Sequence, residues 1–243
     1  MIFMREQSEQ LNPPEIRTLL RGEVAIIAGW LEQWNARRFL LHVGIIIVGA
    51  GLYGAAMGWW RDPQQALFTA AKFPLIILLT TAGNALINAM LAPLLGLNIP
   101  FRQSFSAILM SFTVAAAILG AFSPVMAFMI WSAPPMSTPA ASGAAYSFIK
   151  LAHVAFIAFA GVTGNTRLFQ LLARLGGNRA VAFRVLFAWL AGNLFLGSQL
   201  SWILRPFIGS PNLPVEFFRA TAFHGNFYEN VFQSLMQILQ QFD

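Results

Sequence analysis

Four amide side chains stand inside long apolar stretches of this sequence, where a polar group is costly and often functional. Asn84 and Asn88 are four residues apart, so a helix presents both amides on one face. Asn193 and Gln199 stand in a second apolar stretch. These four residues predict one of two arrangements. They form a polar track for a solute or a lipid headgroup, or they make the interhelical hydrogen bonds that hold a bundle together, which is the favoured interpretation.

Titratable groups and enzyme signatures give little further chemistry. The chain has no cysteine, and its three histidines lack a metal-binding spacing such as H-x-x-x-H. His42 or His153 could ligate a haem or a chlorophyll, but nothing in the spacing requires one, so no metal and no cofactor is predicted. The sequence contains no G-x-S-x-G, P-loop or H-E-x-x-H motif and no carboxylate pair beside an apolar stretch. These observations favour a protein that is not an enzyme.

The composition decides where these residues sit. Hydrophobic residues make up 57% of the 243 residues and charged residues only 10%, whereas soluble domains are about 25% charged. The excess apolar surface must therefore face lipid. The net charge of +6 does not indicate nucleic-acid binding, because the basic residues are dispersed between apolar blocks and not gathered on one face.

The apolar blocks predict an all-α membrane bundle, residues 39–205, between a cytoplasmic segment 1–38 and an extracytoplasmic segment 206–243. Each block reaches the roughly 20 residues that a helix needs to cross a bilayer. The third block is longer than that, and a break or kink is expected at Pro124. The predicted spans are 39–60, 73–95, 104–131, 145–168 and 181–204.

The segments outside the bundle have their own patterns. Asn12 and Pro13 predict the start of an amphipathic helix that ends near Trp34 and lies in the headgroup plane, or packs on a partner protein. A second amphipathic helix is expected over Tyr228–Phe242. The stretch between Arg205 and this helix is rich in Pro, Gly and aromatic residues. It predicts a rigid loop packed on the protein's own surface, on the membrane interface or on a partner. The residues of this stretch that could form a partner surface are Arg205, Phe207, Glu216, Arg219, Asn226 and Tyr228.

The basic residues predict the orientation, because positively charged loops stay in the cytoplasm. Five spans place ten basic residues on the side of the N-terminus: Arg5, Arg17, Arg21, Arg37, Arg38, Arg102, Arg167, Arg174, Arg179 and Arg184. The other side has four, with Lys150 near its edge: Arg61, Lys72, Arg205 and Arg219. The N-terminus is therefore predicted inside and the C-terminus outside, in a bacterial inner membrane.

Several runs resemble a family of uncharacterised bacterial multi-pass membrane proteins that often carry an actin-binding label. They are G-S-Q-L-S-W-I-L-R-P-F-I-G-S-P at Gly197–Pro211, P-V-E-F-F-R at Pro214–Arg219, G-N-F-Y-E-N-V at Gly225–Val231 and K-F-P-L-I-I-L-L-T at Lys72–Thr80. The likeness extends over most of the chain, and the layout is loosely similar to that of five-span Yip-type proteins. The resemblance implies no activity, and the chain has no basic Leu-Lys-Lys-Thr-like helix to support actin binding.

The first hypothesis is a non-enzymatic membrane scaffold or accessory subunit of a larger bacterial complex. Its expected partners are membrane lipid and other membrane protein subunits, with no nucleic acid. The alternative is a transporter or a lipid-handling permease component that uses the faces of Asn84, Asn88, Asn193 and Gln199.

Overall fold

The computed structural model describes residues 15–136, 144–209 and 214–229, with Phe232 and Met236. Within these ranges the regular secondary structure is helical and contains no strand. Five of the helices are long and apolar enough to cross a membrane. The predicted all-α, multi-pass membrane fold is therefore confirmed.

Two short helices precede the five long ones in this part of the chain. The elements are α1 (Glu15–Arg21), α2 (Val24–Glu32), α3 (Ala36–Gly58), α4 (Pro63–Leu94), α5 (Phe101–Ser132), α6 (Ala144–Gly176) and α7 (Arg179–Leu204). Because the long helices alternate in direction, α3, α5 and α7 begin at one end of the bundle, called here the basic end. The opposite end, where α4 and α6 begin, is called the Pro206 end.

The largest departure from the predicted spans is the start of α4, which begins at Pro63 and not near residue 73. The Asp62 side chain accepts a hydrogen bond from the Gln64 backbone N–H at 2.7 Å, and Pro63 occupies the first helical turn. A capping acid followed by proline is a normal helix start. Predicting the span from hydropathy alone missed it, because the first turns of α4 are polar.

Two predictions that rest on proline and glycine, at Pro124 and at the end of α6, have different outcomes. α5 runs without interruption through Pro124, so of the break or kink expected there the break is not found, and the kink stays a prediction. α6 continues to Gly176, and Gly177 then takes a positive φ of 61° before Asn178 caps α7, as the Gly-Gly-Asn sequence indicates.

The N-terminal amphipathic segment is two helices and not one. Gly22 breaks it with a φ of +71°, a conformation that glycine adopts without strain. The guanidinium of Arg167 lies against Gly22 and donates to the Leu20 carbonyl at 2.9 Å. Leu19, Ile27 and Leu31 are buried in one core cluster with residues of α5 and α6. The amphipathic face therefore packs on the chain's own bundle, while the proposed cap Asn12 lies outside the described residues.

Glycines bring the central helices into backbone contact. A Cβ on Gly49 of α3 would overlap the carbonyl oxygen of Ala116 in α5, and one on Gly120 would lie 2.8 Å from the Gly49 Cα. Gly54 and Gly58 meet α4 in the same way, since a Cβ added to either would lie 2.6 Å from the carbonyl oxygen of Thr69 or Gln65, respectively. Small residues at four-residue spacing here allow close packing within one chain, as small-xxx-small patterns do between membrane helices.

The chain after α7 turns back along the Pro206 end. A helical turn begins at Phe227–Glu229, which agrees with the start of the predicted helix Tyr228–Phe242. Most of that predicted helix lies outside the described residues.

Candidate functional site

One face of α4 carries polar side chains over almost its whole length. Thr80, Asn84 and Asn88 repeat every four residues and continue the phase of Gln65, Thr69 and Lys72. All six are at most 3% exposed. Buried polar groups in a membrane bundle need partners, because lipid offers none. The partners divide α4 into two regions, one at the Pro206 end and one towards the basic end.

At the Pro206 end, the polar residues hold the chain that leaves α7. Gln65 Nε2 donates to the carbonyl oxygens of Pro206 at 3.0 Å and of Phe207 at 2.9 Å. Thr69 Oγ1 donates to the same Phe207 carbonyl at 2.8 Å. The Phe207 ring packs edge-to-face on Phe73 with 5.5 Å between centroids. These contacts fix the first residues after α7 against the side of α4.

Lys72 completes this attachment. Its Nζ lies 3.0 Å from the Pro206 carbonyl oxygen and 3.4 Å from that of Glu216, and 5.1 Å from the centre of the Phe217 ring. The side chain is 0% exposed. A buried ammonium is costly unless it is paired and hydrogen-bonded, and here carbonyl dipoles and an aromatic face surround it. Lys72 therefore ties two separate parts of the C-terminal segment to one point on α4.

The rest of the C-terminal segment packs on α7. Tyr228 OH lies 2.8 Å from Ser198 Oγ, and its ring stacks on Phe195 with 5.7 Å between centroids. Trp202 Nε1 donates to the His224 carbonyl at 3.3 Å. Of the three packing surfaces considered from the sequence, the structure shows the protein's own bundle as one that is used.

The six predicted partner-surface residues have different environments. Phe207 and Tyr228 face the bundle, and Glu216 supplies a backbone acceptor to Lys72. The guanidinium of Arg205 lies 3.5 Å from the Trp202 ring centre and donates to the Trp202 carbonyl. Asn226 Oδ1 accepts from the Glu229 backbone N–H at 2.8 Å and caps the last helical turn. Arg219 is half-buried.

Towards the basic end, two of the four amides identified in the sequence, Asn84 and Asn193, meet across α4 and α7. Asn84 Nδ2 donates to the Trp189 carbonyl at 3.1 Å and to Asn193 Oδ1 at 2.5 Å. Gly192 makes this approach possible, since a Cβ there would overlap Asn84 Oδ1. Gln199 is half-buried further along α7 and lies outside this hydrogen-bonded pair.

Asn88 differs from Asn84 in having no hydrogen-bond partner for either amide atom within the described part of the chain. It is 0% exposed, one turn further towards the basic end. Thr80 Oγ1, one turn in the other direction, likewise lacks a partner among the residues that the structure covers. The polar face of α4 therefore combines Asn84, which is bonded to α7, with two side chains that have no partner among the described residues, Asn88 and Thr80.

The two histidines considered as cofactor ligands are in different helices and separate environments. His153 Nδ1 lies 2.9 Å from Tyr53 OH, and the two rings stack with 5.6 Å between centroids. His42 is 3% exposed in α3, and neither ring nitrogen has a partner in the described ranges. No cluster of three His, Asp or Glu residues is found in those ranges. The described geometry thus gives His153 a structural role in the α3–α6 contact.

An open groove between the ends of α3 and α5 was not identified from the sequence. It has a volume of about 640 Å³ and a small-residue floor that includes Ala55, Ala56 and Ala127. Trp59 and Trp131 stand at its sides, and they are 63% and 89% exposed. The two tryptophans stand at the ends of predicted spans in the sequence, but the pairing of α3 with α5 could not be read from it.

No protein-family model, curated protein or solved structure matches this chain. The fold and the two regions of α4 therefore stand on the geometry of the chain itself, and the family resemblance drawn from the sequence runs stays a prediction.

Proposed function

We propose that this integral membrane protein is a non-enzymatic scaffold or accessory subunit that holds a transmembrane helix of a partner subunit in the α3–α5 groove. The groove is the observation that supports this proposal. Alanines along its floor leave room for another helix backbone to approach closely, which is the usual basis of helix association in lipid. The exposed tryptophans at its sides offer large apolar surfaces at the end of the bundle.

A second observation favours a rigid scaffold over a protein that works by changing its conformation. Glycine contacts bring α3 against α4 and α5 at backbone distance, and Gln65, Thr69 and Lys72 tie the C-terminal segment to α4. Contacts of this kind have little freedom to slide, because close-packed interiors transmit displacement and do not deform smoothly. A rigid bundle with one open lateral groove suits a subunit that positions another protein.

The groove can be tested by cysteine chemistry, because the chain has no native cysteine. A thiol-directed benzophenone on Ala127→Cys is expected to crosslink a specific membrane protein upon illumination of native membranes. Leu151→Cys is the matched control, since Leu151 is an exposed residue near the same end of the bundle, on α6. Crosslinking to lipid alone at Ala127, or the same protein products at both sites, would show that the groove holds no partner helix.

We further propose that the basic end faces the cytoplasm of a bacterial inner membrane and the Pro206 end faces outward. The matched pair Gln33→Cys and Gln64→Cys tests this, because both glutamines are exposed and lie at opposite ends. A membrane-impermeant maleimide should label Gln64→Cys in intact cells and Gln33→Cys only after lysis. The reverse labelling pattern would invert the proposed orientation.

A transporter or lipid-handling permease is the second candidate, and the spare hydrogen-bonding capacity of Asn88 and Thr80 is the observation that favours it. In that case, changing Asn88 and Asn193 to Leu should abolish movement of the solute or lipid without lowering expression. If the double variant keeps a membrane-linked phenotype, the amides serve only in helix packing, and the transporter candidate is rejected. Loss of the same phenotype upon filling the groove would favour the scaffold.

A further inference from the structure

Three cationic residues lie where the C-terminal segment crosses α4, and we call them the cationic corner: Lys72, Arg205 and Arg219. Lys72 Nζ lies 3.0 Å from the carbonyl oxygen of Pro206, the residue that follows Arg205. The same Nζ is 5.1 Å from the Phe217 ring centre, two residues before Arg219. Two stretches of the C-terminal segment, each of which includes an arginine, thus meet at Lys72.

The corner has no ion-paired acid among the residues that the structure describes. No described carboxylate forms an ion pair with any of the three cations, and Glu216 contributes its backbone oxygen to Lys72 at 3.4 Å. Burial and the charge of Arg219 both lower the pKa of the Arg205 guanidinium. Like charges held close together in a partly desolvated place raise the free energy of the fold. An anion bound among them would remove that cost.

Arg205 is held in place before any ligand arrives. Its guanidinium stacks 3.5 Å from the centre of the Trp202 ring and donates to the Trp202 carbonyl. A planar guanidinium has five N–H donors, so this contact leaves donors for a ligand. An arginine already fixed by stacking loses little side-chain entropy when it binds a phosphate.

The surroundings of the corner indicate a membrane ligand. Phe218, Phe223 and Tyr228 of the same segment are 50%, 79% and 41% exposed. Exposed aromatic rings at the end of a transmembrane bundle usually lie at headgroup depth. Lys72 belongs to a helix that enters the membrane, and Arg205 follows directly after the end of α7. The cations are therefore at the level where lipid phosphates lie.

We propose that the cationic corner binds the phosphate group of an anionic phospholipid, with Arg205 and Arg219 as its direct ligands. Lys72, occupied by carbonyl oxygens, adds positive field without touching the lipid. The exposed aromatic rings lie at the boundary between the lipid headgroups and the acyl chains. This site is independent of the α3–α5 groove and would exist whether or not a partner subunit binds there.

Native mass spectrometry of the full chain in a neutral detergent tests this site. The probes are phosphatidylglycerol, phosphatidylcholine and inorganic phosphate, added separately. The wild-type protein should bind phosphatidylglycerol in preference to phosphatidylcholine, and millimolar inorganic phosphate should not displace it. Removing two arginines should weaken that binding roughly thirtyfold in Arg205→Gln/Arg219→Gln, since each basic residue near a lipid surface contributes about a factor of five.

Three further variants control this experiment. Lys150→Gln removes one exposed charge at the same end and should leave the phosphatidylglycerol preference unchanged. Arg205→Lys/Arg219→Lys keeps the charges and should recover most of the binding. Arg219→Gln alone keeps the Arg205–Trp202 stack and should show about a fivefold loss, even if the double variant folds poorly.

Equal retention of phosphatidylglycerol by the wild type and by both Arg→Gln variants would overturn the proposal. So would equal binding of phosphatidylcholine and phosphatidylglycerol, which would show that headgroup charge is not recognised. Displacement by inorganic phosphate would assign the corner to a free phosphate ion and reject the lipid.

Discussion

Of the substitutions that add one methyl group to the bundle, Gly49→Ala is expected to destabilise it most. The new Cβ would overlap the Ala116 carbonyl oxygen, and a Cβ on Gly120 of α5 would likewise lie only 2.8 Å from the Gly49 Cα. Backbone cannot rotate away as a side chain does, so α3 and α5 would have to separate. Overpacking of this kind costs about 1–3 kcal/mol and occasionally more. The measurement is the thermal unfolding midpoint in detergent.

Gly44→Ala is the matched control, because Gly44 lies on the same helix and a Cβ there meets nothing within 4 Å. In a helix, an unobstructed Gly→Ala change stabilises by about 0.5–1 kcal/mol. The unfolding midpoint should therefore fall for Gly49→Ala and stay level or rise for Gly44→Ala. Equal midpoints for the two variants would mean that α3 and α5 are not in backbone contact.

Reversing the charge of Lys72 is expected to release the C-terminal segment from α4. In Lys72→Glu a carboxylate would face the carbonyl oxygens of Pro206 and Glu216, which now accept hydrogen bonds from the ammonium. Hydrogen bonds to charged groups contribute about 1.5–3 kcal/mol each, and acceptor-to-acceptor repulsion adds to their loss. Hydrogen exchange over residues 214–229 should accelerate, and limited proteolysis should cut there.

Two other variants calibrate this effect. Lys72→Met removes the donors without introducing repulsion, and Gln65 still donates to Pro206, so its effect should be smaller. Lys150→Glu makes the same charge reversal at an exposed site and should leave exchange over residues 214–229 unchanged. Unchanged exchange in Lys72→Glu would show that the segment is held by other contacts.

Hydropathy was sufficient to predict the fold class and the central part of every span, because lipid imposes long apolar helices on any such chain. It failed at the start of α4, where Gln64 and Gln65 are polar and the helix depends on the Asp62 cap. The buried amide of Gln65 donates to the carbonyls of Pro206 and Phe207, which are 141 and 142 positions away in the sequence. Contacts at that separation leave no local pattern to detect.

The candidate sites show the same division. The four-residue spacing of Asn84 and Asn88 placed both on one face, and the pairing of Asn84 with Asn193 agrees with the predicted interhelical hydrogen bonding. The role of Gly192 in admitting Asn84 depends on how α4 crosses α7, which spacing alone does not give. The packing of Arg167, contributed by α6, against the break at Gly22 is likewise a contact between distant parts of the sequence. Helix faces could be predicted from periodicity, while helix neighbours could not.

The α3–α5 groove carries the proposed scaffold role, and gentle native purification followed by mass spectrometry tests it most directly. The wild-type protein is compared with Ala127→Leu, which narrows the groove from an exposed floor position, and with Leu151→Ala as a control elsewhere on the lipid-facing surface. We expect one membrane protein to copurify in fixed stoichiometry with the wild type and the control, and to be lost from Ala127→Leu. A monodisperse wild-type protein that copurifies with no partner and moves a solute in liposomes would contradict the scaffold role.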